Sequence, residues 1–120
     1  MIGDTFVASM LKPISAAFAA VIATIALSIV PTHAAEVAEV SMVKMKFEPQ
    51  QLKVKPGTTV KWVNDEKRSN HSILFEQEGL PESERLFPGE SWQRTFDKPG
   101  IYPYRCGPHP EMTGVVEVAP

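Results

Sequence analysis

The chain has 120 residues, with 12 Lys and Arg against 14 Asp and Glu and a formal net charge of −2. That balance gives no electrostatic case for nucleic acid. Once an apolar leader is set aside, the remainder is too short for two hydrophobic cores, so a single small domain is expected.

Residues 1–34 read as a secretory signal peptide. Lys12 ends the n-region, Ile14 to Val30 is an apolar run without a charge, and Pro31-Thr32-His33-Ala34 places small residues at the −3 and −1 positions of a cleavage site. The run is near the lower length limit for a membrane span and ends in a helix breaker. We therefore expect cleavage after Ala34 and no stable membrane insertion afterwards. Residues 35–120 would then form the mature domain, exported to the periplasm. His33 leaves with the leader.

From residue 35 onward the pattern is that of strands. Ser41, Val43, Met45 and Phe47 alternate with Met42, Lys44 and Lys46, a period of two. Leu52 and Val54 alternate with lysines before the turn Pro56-Gly57, and Val60 and Trp62 precede a polar loop from Asn64 to Asn70. His71 to Phe75 reads as a short strand, followed by a long polar connection from Glu76 to Glu90. Trp92, Arg94 and Phe96 alternate with polar residues before Pro99-Gly100, and Ile101 to Cys106 and Thr113 to Val118 complete the set. Short strands punctuated by Pro-Gly, with no sustained helical spacing, predict an all-β sandwich. Trp62, Trp92, Tyr102 and Tyr104 are expected in its core, and Met42 and Met45 as packing residues. Glu76, Glu78, Glu82, Glu84 and Glu90 in and beside the long connection read as a solvated face, as do Lys53, Lys55, Lys61, Lys67 and Arg68 elsewhere.

Two histidines and one cysteine remain after residue 34, and all belong to one pattern: His71, then Cys106-Gly107-Pro108-His109-Pro110-Glu111-Met112. A thiolate and two imidazoles supply a trigonal plane and a thioether a weak axial position, which is a complete ligand set for one mononuclear copper. Zinc normally takes four strong ligands, and a thioether is a poor one. Copper(I) favours sulfur and copper(II) favours imidazole nitrogen, so the mixed set suits neither state fully and little needs to rearrange between them. An exported lone cysteine is a liability unless it is buried or bound to metal. His71, Cys106, His109 and Met112 are thus the candidate metal ligands. Glu111 stands between two of them, and its carboxylate is expected near the metal, favouring copper(II).

Phe47-Glu48-Pro49, Val54 with Pro56-Gly57, Thr59-Val60 with Trp62 and Asn64, then His71 and the Cys106 loop together resemble the cupredoxins, or blue copper proteins, over nearly all of residues 35–120. The resemblance implies a Greek-key β-sandwich and a type 1 copper that transfers electrons without catalysis. Cys-x-x-His-x-x-Met is similar to the short loop of amicyanin, whereas plastocyanin and pseudoazurin have a longer step to Met. Relatives usually carry Asn after the first ligand His and Ser or Thr after the Cys. Here these positions are Ser72 and Gly107, so the tie between the two loops is expected to be weakened or absent, and Arg105 replaces the usual aromatic or His before the Cys.

The function expected is that of a monomeric periplasmic one-electron carrier between redox proteins, a c-type cytochrome, a dehydrogenase or a reductase, docking near His109. The alternative is copper sequestration or copper resistance, which would favour additional Met- or His-rich segments that residues 35–120 do not contain. No catalytic set is expected, because both histidines are committed to the metal.

Overall fold

The computed structural model describes residues 3, 13, 15–31 and 35–120. They fall into two compact units, Met1–Pro31 and Thr32–Pro120. In the first, residues 15–31 are exposed and carry no regular secondary structure. Among the described residues no helix is long and apolar enough to cross a membrane. Lys12 and the expected cleavage site at Thr32-His33-Ala34 lie outside the described residues.

In the second unit seven strands form two sheets: β1 (Val37–Val43), β2 (Lys46–Glu48), β3 (Gln51–Val54), β4 (Thr58–Asn64), β5 (Ser91–Phe96), β6 (Gly100–Arg105) and β7 (Thr113–Val118). The first sheet has the order β2-β1-β4-β5 and the second β3-β7-β6. The pairs β1·β4 and β3·β7 are parallel and the rest antiparallel, giving the expected Greek-key β-sandwich.

Two strand assignments differ from the sequence reading. Ser41 to Phe47 is not one strand but a hairpin, in which Val43 pairs with Lys46 across a two-residue turn at Lys44 and Met45, both with positive φ (52° and 59°). A turn of that hand matches the twist of the flanking strands, but it carries neither of the usual Asn or Gly markers, so the alternation ran through it unbroken. Met42 is buried as expected, whereas Met45 is 42% exposed at the turn and is not a core packing residue. His71 to Phe75 is not a ladder strand either. It makes two isolated bridges, His71 with Leu86 and Leu74 with Arg105, the second of which ties it to the end of β6.

Trp62 is fully buried at the centre of the core, with edge-on contacts to Phe75 and Tyr104 at ring-centroid distances of 6.0 and 5.3 Å, a favoured geometry for aromatic pairs. Tyr104 leans over Gly114, where an added Cβ would lie 2.4 Å from the phenol ring carbon Cζ and its oxygen; only glycine leaves room there. Burial pushes the Tyr104 phenol up to about 12, so it stays protonated at physiological pH. Arg94 enters from β5 with its guanidinium 4.4 Å from the Phe75 centroid and 4.5 Å from that of Phe96, a cation–π arrangement.

The acidic connection also departs from the sequence reading. Glu78 grips Arg94 in a fork at 2.7 and 2.8 Å, and Glu76 accepts from Arg105 at 3.1 and 3.2 Å. The glutamates therefore fasten the connection to the sandwich instead of forming only a solvated face. Alternation in sequence shows which side of a strand is polar, but not that a charge opposite will claim a loop residue.

Candidate metal centre

The site lies at one end of the sandwich, where the His71 segment meets the loop between β6 and β7. Asn64 closes β4 and organises the first of these. Its side-chain amide donates to the carbonyls of Ser69 and Leu86, both at 2.8 Å, while its Oδ1 accepts from the Glu66 amide at 2.9 Å. His71 then exchanges backbone hydrogen bonds with Leu86 at 3.1 and 2.8 Å and is completely buried. Leu74 and Arg105 exchange a second pair, which fixes the height of His71 relative to Cys106.

The loop after β6 is closed by its own backbone. The Cys106 amide donates to the Met112 carbonyl at 2.9 Å, and the Met112 amide donates to the His109 carbonyl at 2.9 Å. Cys106 and Met112 are buried, and His109 is partly exposed. Arg105 braces this loop from outside by donating to the carbonyls of Cys106 and Gly107 at 3.0 and 3.2 Å. Its guanidinium, held by Glu76, ties the loop to the acidic connection.

His71, Cys106 and His109 bring their ligand atoms together in the trigonal arrangement a type 1 copper would take, and Met112 is buried in the same loop, its carbonyl bonded to the Cys106 amide. Nδ1 of His71 and Nδ1 of His109 are 3.2 Å apart, and they stand 3.7 and 3.5 Å from Sγ of Cys106. Metal bonds of about 2.0–2.1 Å to nitrogen and ~2.3 Å to sulfur in a trigonal plane would place these three atoms roughly 3.5–3.8 Å apart, close to the spacing seen. Three lone-pair donors converging on one point in a buried setting are suited to sharing one cation. The residues fit copper, and the soft thiolate and thioether set them apart from a carboxylate or carbonyl site.

Two neighbours tune the donors. A Glu66 carboxylate oxygen lies 3.6 Å from Nε2 of His71, too long for a formed hydrogen bond but close enough for Coulomb attraction, and the same carboxylate accepts from the Met45 amide at 2.7 Å. Desolvation by burial, with the charge of His109 nearby, holds the His71 imidazole below its ordinary range, while Glu66 pulls it partly back. One backbone amide, that of Ser72, donates to Sγ of Cys106 at 3.5 Å. Glu111, expected near the metal, is exposed to solvent.

The expectation that Ser72 and Gly107 weaken the tie between the two loops is overturned. The Gly107 amide donates to the Ser72 hydroxyl oxygen at 2.9 Å, and that hydroxyl donates to a Glu82 carboxylate at 2.5 Å. The tie exists, built by a serine and a remote glutamate. Asn64, Glu66 and Glu82 are the residues near the centre that sequence reasoning missed. Glu66 and Glu82 lie in polar loops whose composition says only that they are loops, whereas Asn64 ends β4 and was visible only as part of the resemblance, without its role.

Comparison with known proteins covers the same ground. Residues 34–119 match the family of copper binding proteins described as plastocyanin/azurin. The chain is 40% identical to amicyanin from Paracoccus denitrificans over 96 residues, which is 73% of this chain and 72% of that one. It is 35% identical to amicyanin-alpha from Methylorubrum extorquens over 113 residues, covering 87% and 94% of the two chains. Among solved structures, the copper(I) form of an amicyanin variant superposes with a TM-score of 0.66 at 34% identity, covering 73% of this chain and 87% of that one. Fold, donor set and sequence match agree over one stretch of residues, and the chain belongs to the plastocyanin/azurin family of copper-binding proteins.

Proposed function

We propose that this protein is an exported one-electron carrier, with residues 1–34 removed as a signal peptide and residues 35–120 acting in the periplasm. In this reading His71, Cys106, His109 and Met112 hold a single type 1 copper. The observation that carries it is the convergence of two Nδ1 atoms and one Sγ within 3.2–3.7 Å in a frame already cross-linked by backbone hydrogen bonds. Copper bound there supplies a one-electron couple. The chain holds two imidazoles, a thiolate and a thioether in positions that a change of metal charge gives little reason to alter, and it keeps water from Cys106 and His71, both fully buried.

His109 is the partly exposed member of the set, in a loop flanked by Pro108 and Pro110, and its edge is the port at which a c-type cytochrome, dehydrogenase or reductase would dock. A groove beside it, lined by Met45, Pro108 and Pro110 together with Lys46, Gln50 and Glu111, supports docking on a surface of mixed apolar and polar character. The processed protein acts in this role as a monomer, not as an enzyme.

Adding copper(II) to the metal-free protein should generate an intense visible band that saturates at one equivalent, bleaches with ascorbate and returns on reoxidation. Stopped-flow mixing with a soluble c-type cytochrome should then show electron exchange. Colourless binding of several equivalents without a reversible couple would instead favour copper sequestration.

A further inference from the structure

Gly107 follows the candidate thiolate ligand, and the space left by its missing side chain is filled from elsewhere in the chain. A Cβ built on Gly107 would stand 1.9 Å from Oε1 of Glu82, 2.4 Å from its Cδ and 2.7 Å from Oγ of Ser72. Glu82 belongs to the long connection before β5 and keeps its side chain about two-thirds buried against this spot, at 35% exposure.

The hydrogen bonds around Ser72 have a fixed direction. Its hydroxyl proton goes to Glu82 at 2.5 Å, which leaves a lone pair on Oγ to accept the Gly107 amide at 2.9 Å. Its own amide donates to Sγ of Cys106 at 3.5 Å. A hydroxyl rotor is free to turn until an acceptor fixes it, and a carboxylate is the stronger kind of acceptor. The other charged neighbour, Arg85, has its Nε 3.4 Å from the same Oε1 and is half exposed, so it contributes little as an ion pair.

We propose that Glu82 is a positioning residue of the metal centre. Its carboxylate occupies the place of a side chain at 107 and orients Ser72, so that one serine links the segment following His71 to the amide following Cys106 and to the thiolate itself. The inference rests on the copper reading for its effect on the metal, but the linkage is a property of the polypeptide and can be measured without copper.

The test uses Glu82→Ala, Glu82→Gln, Ser72→Ala and the Glu82→Ala/Ser72→Ala double variant. Amide hydrogen exchange in the copper-free protein should accelerate at Gly107 by roughly tenfold in Glu82→Ala, the factor for loss of one charge-assisted hydrogen bond, while the Trp62 amide in β4 is unaffected. Glu82→Gln retains an acceptor oxygen and should stay near wild type. The double variant should be no faster at Gly107 than Ser72→Ala alone, because both act through one hydroxyl. In the copper(II) protein, Glu82→Ala should change the intensity ratio of the visible bands and displace the midpoint potential, and Glu82→Gln should restore the intensity ratio. Unchanged exchange at Gly107, or equal acceleration at Gly107 and Trp62, in a protein that still colours with copper would overturn the inference alone. A wild-type protein that never colours would overturn the copper reading and the effect on the metal with it, whatever exchange shows.

Discussion

His71 and His109 bring the same atom, Nδ1, to one point beside the Cys106 thiolate, but they arrive there from contrasting regions. His71 is fully buried, bracketed by paired backbone bonds to Leu86 and faced on its far nitrogen by Glu66. His109 sits in a short loop, partly exposed, with a carbonyl bonded to Met112 and a proline on either side. The first region fixes a ligand by enclosing it. The second fixes one by shortening its tether and restricting φ at the prolines. Enclosure costs solvent access, and a short tether does not, so one side of a buried centre can remain open to a partner.

The largest expected effect removes the atom both regions share. Cys106→Ser should abolish the intense visible band while leaving a folded sandwich, since only the thiolate gives strong charge transfer to copper(II). Absorption and circular dichroism on the same sample check both halves of that statement, and retention of the band would refute the assignment.

The enclosed region should be the more sensitive to its packing. Leu86→Ala deletes a fully buried side chain beside the His71 bridge and should cost about 2–5 kcal/mol by denaturant unfolding of the copper-free protein. Its damage should concentrate at His71: in NMR spectra of the copper(I) protein the His71 ring resonances should shift more than those of His109. Equal shifts at both rings would show that the two regions are not held independently.

Acidity should separate the regions next. Folding lowers the affinity of His71 for a proton, so just below about 6.5, the ordinary histidine value, the unfolded chain binds more protons than the folded one. The stability that His71 contributes is therefore present above that pH and is lost as pH falls through its depressed folded value. Denaturant midpoints of the copper-free protein at pH 7.5 and pH 5 should show the decline, and His71→Gln should reduce its slope.

The smallest effects concern two carboxylates. Glu66, with 17% side-chain exposure, acts through a buried imidazole: over roughly 7 Å at an effective dielectric of about 40, its charge favours copper(II) by ~1 kcal/mol. Glu66→Gln should raise the potential by about 45 mV, on the scale where 59 mV is tenfold for one electron. Glu111 is exposed, and over roughly 10 Å in water its charge gives ~0.4 kcal/mol, or about 20 mV that salt erases. Voltammetry of Glu66→Gln and Glu111→Gln at low and high salt should rank them in that order. The reverse order would mean that Glu111 folds back over the loop.

How much of this was legible in the sequence follows the same contrast. The candidate ligands were readable because copper chemistry restricts which residue types can serve, and the loop compresses three of them into one short motif. The strands β4 to β7 were readable from period-two alternation. The hairpin at Lys44 and Met45 was not, because neither residue announces a positive φ. Nor was the irregular path of the His71 segment, since Ser72 and Ile73 are both buried and leave no alternation to follow. Glu82 was the least accessible: the sequence shows a glycine where a hydroxyl residue was expected, but only the fold shows what fills the gap.

The parallel pairing of β3 with β7, in which Gln51 lies opposite Val115 and Val54 opposite Val118, has a consequence in time. Pairings between segments so distant along the chain are slow to form, and sandwiches dominated by them fold in milliseconds to seconds. β7 also closes the loop from Cys106 to Met112 by pairing Thr113 with Arg105, so the thiol is enclosed only once this sheet has formed. During that interval, on every passage from the unfolded chain, Cys106 is open to any oxidant present. Refolding under air should therefore lose copper-binding capacity in proportion to the time spent unfolded, and a reductant present only during that interval should preserve it.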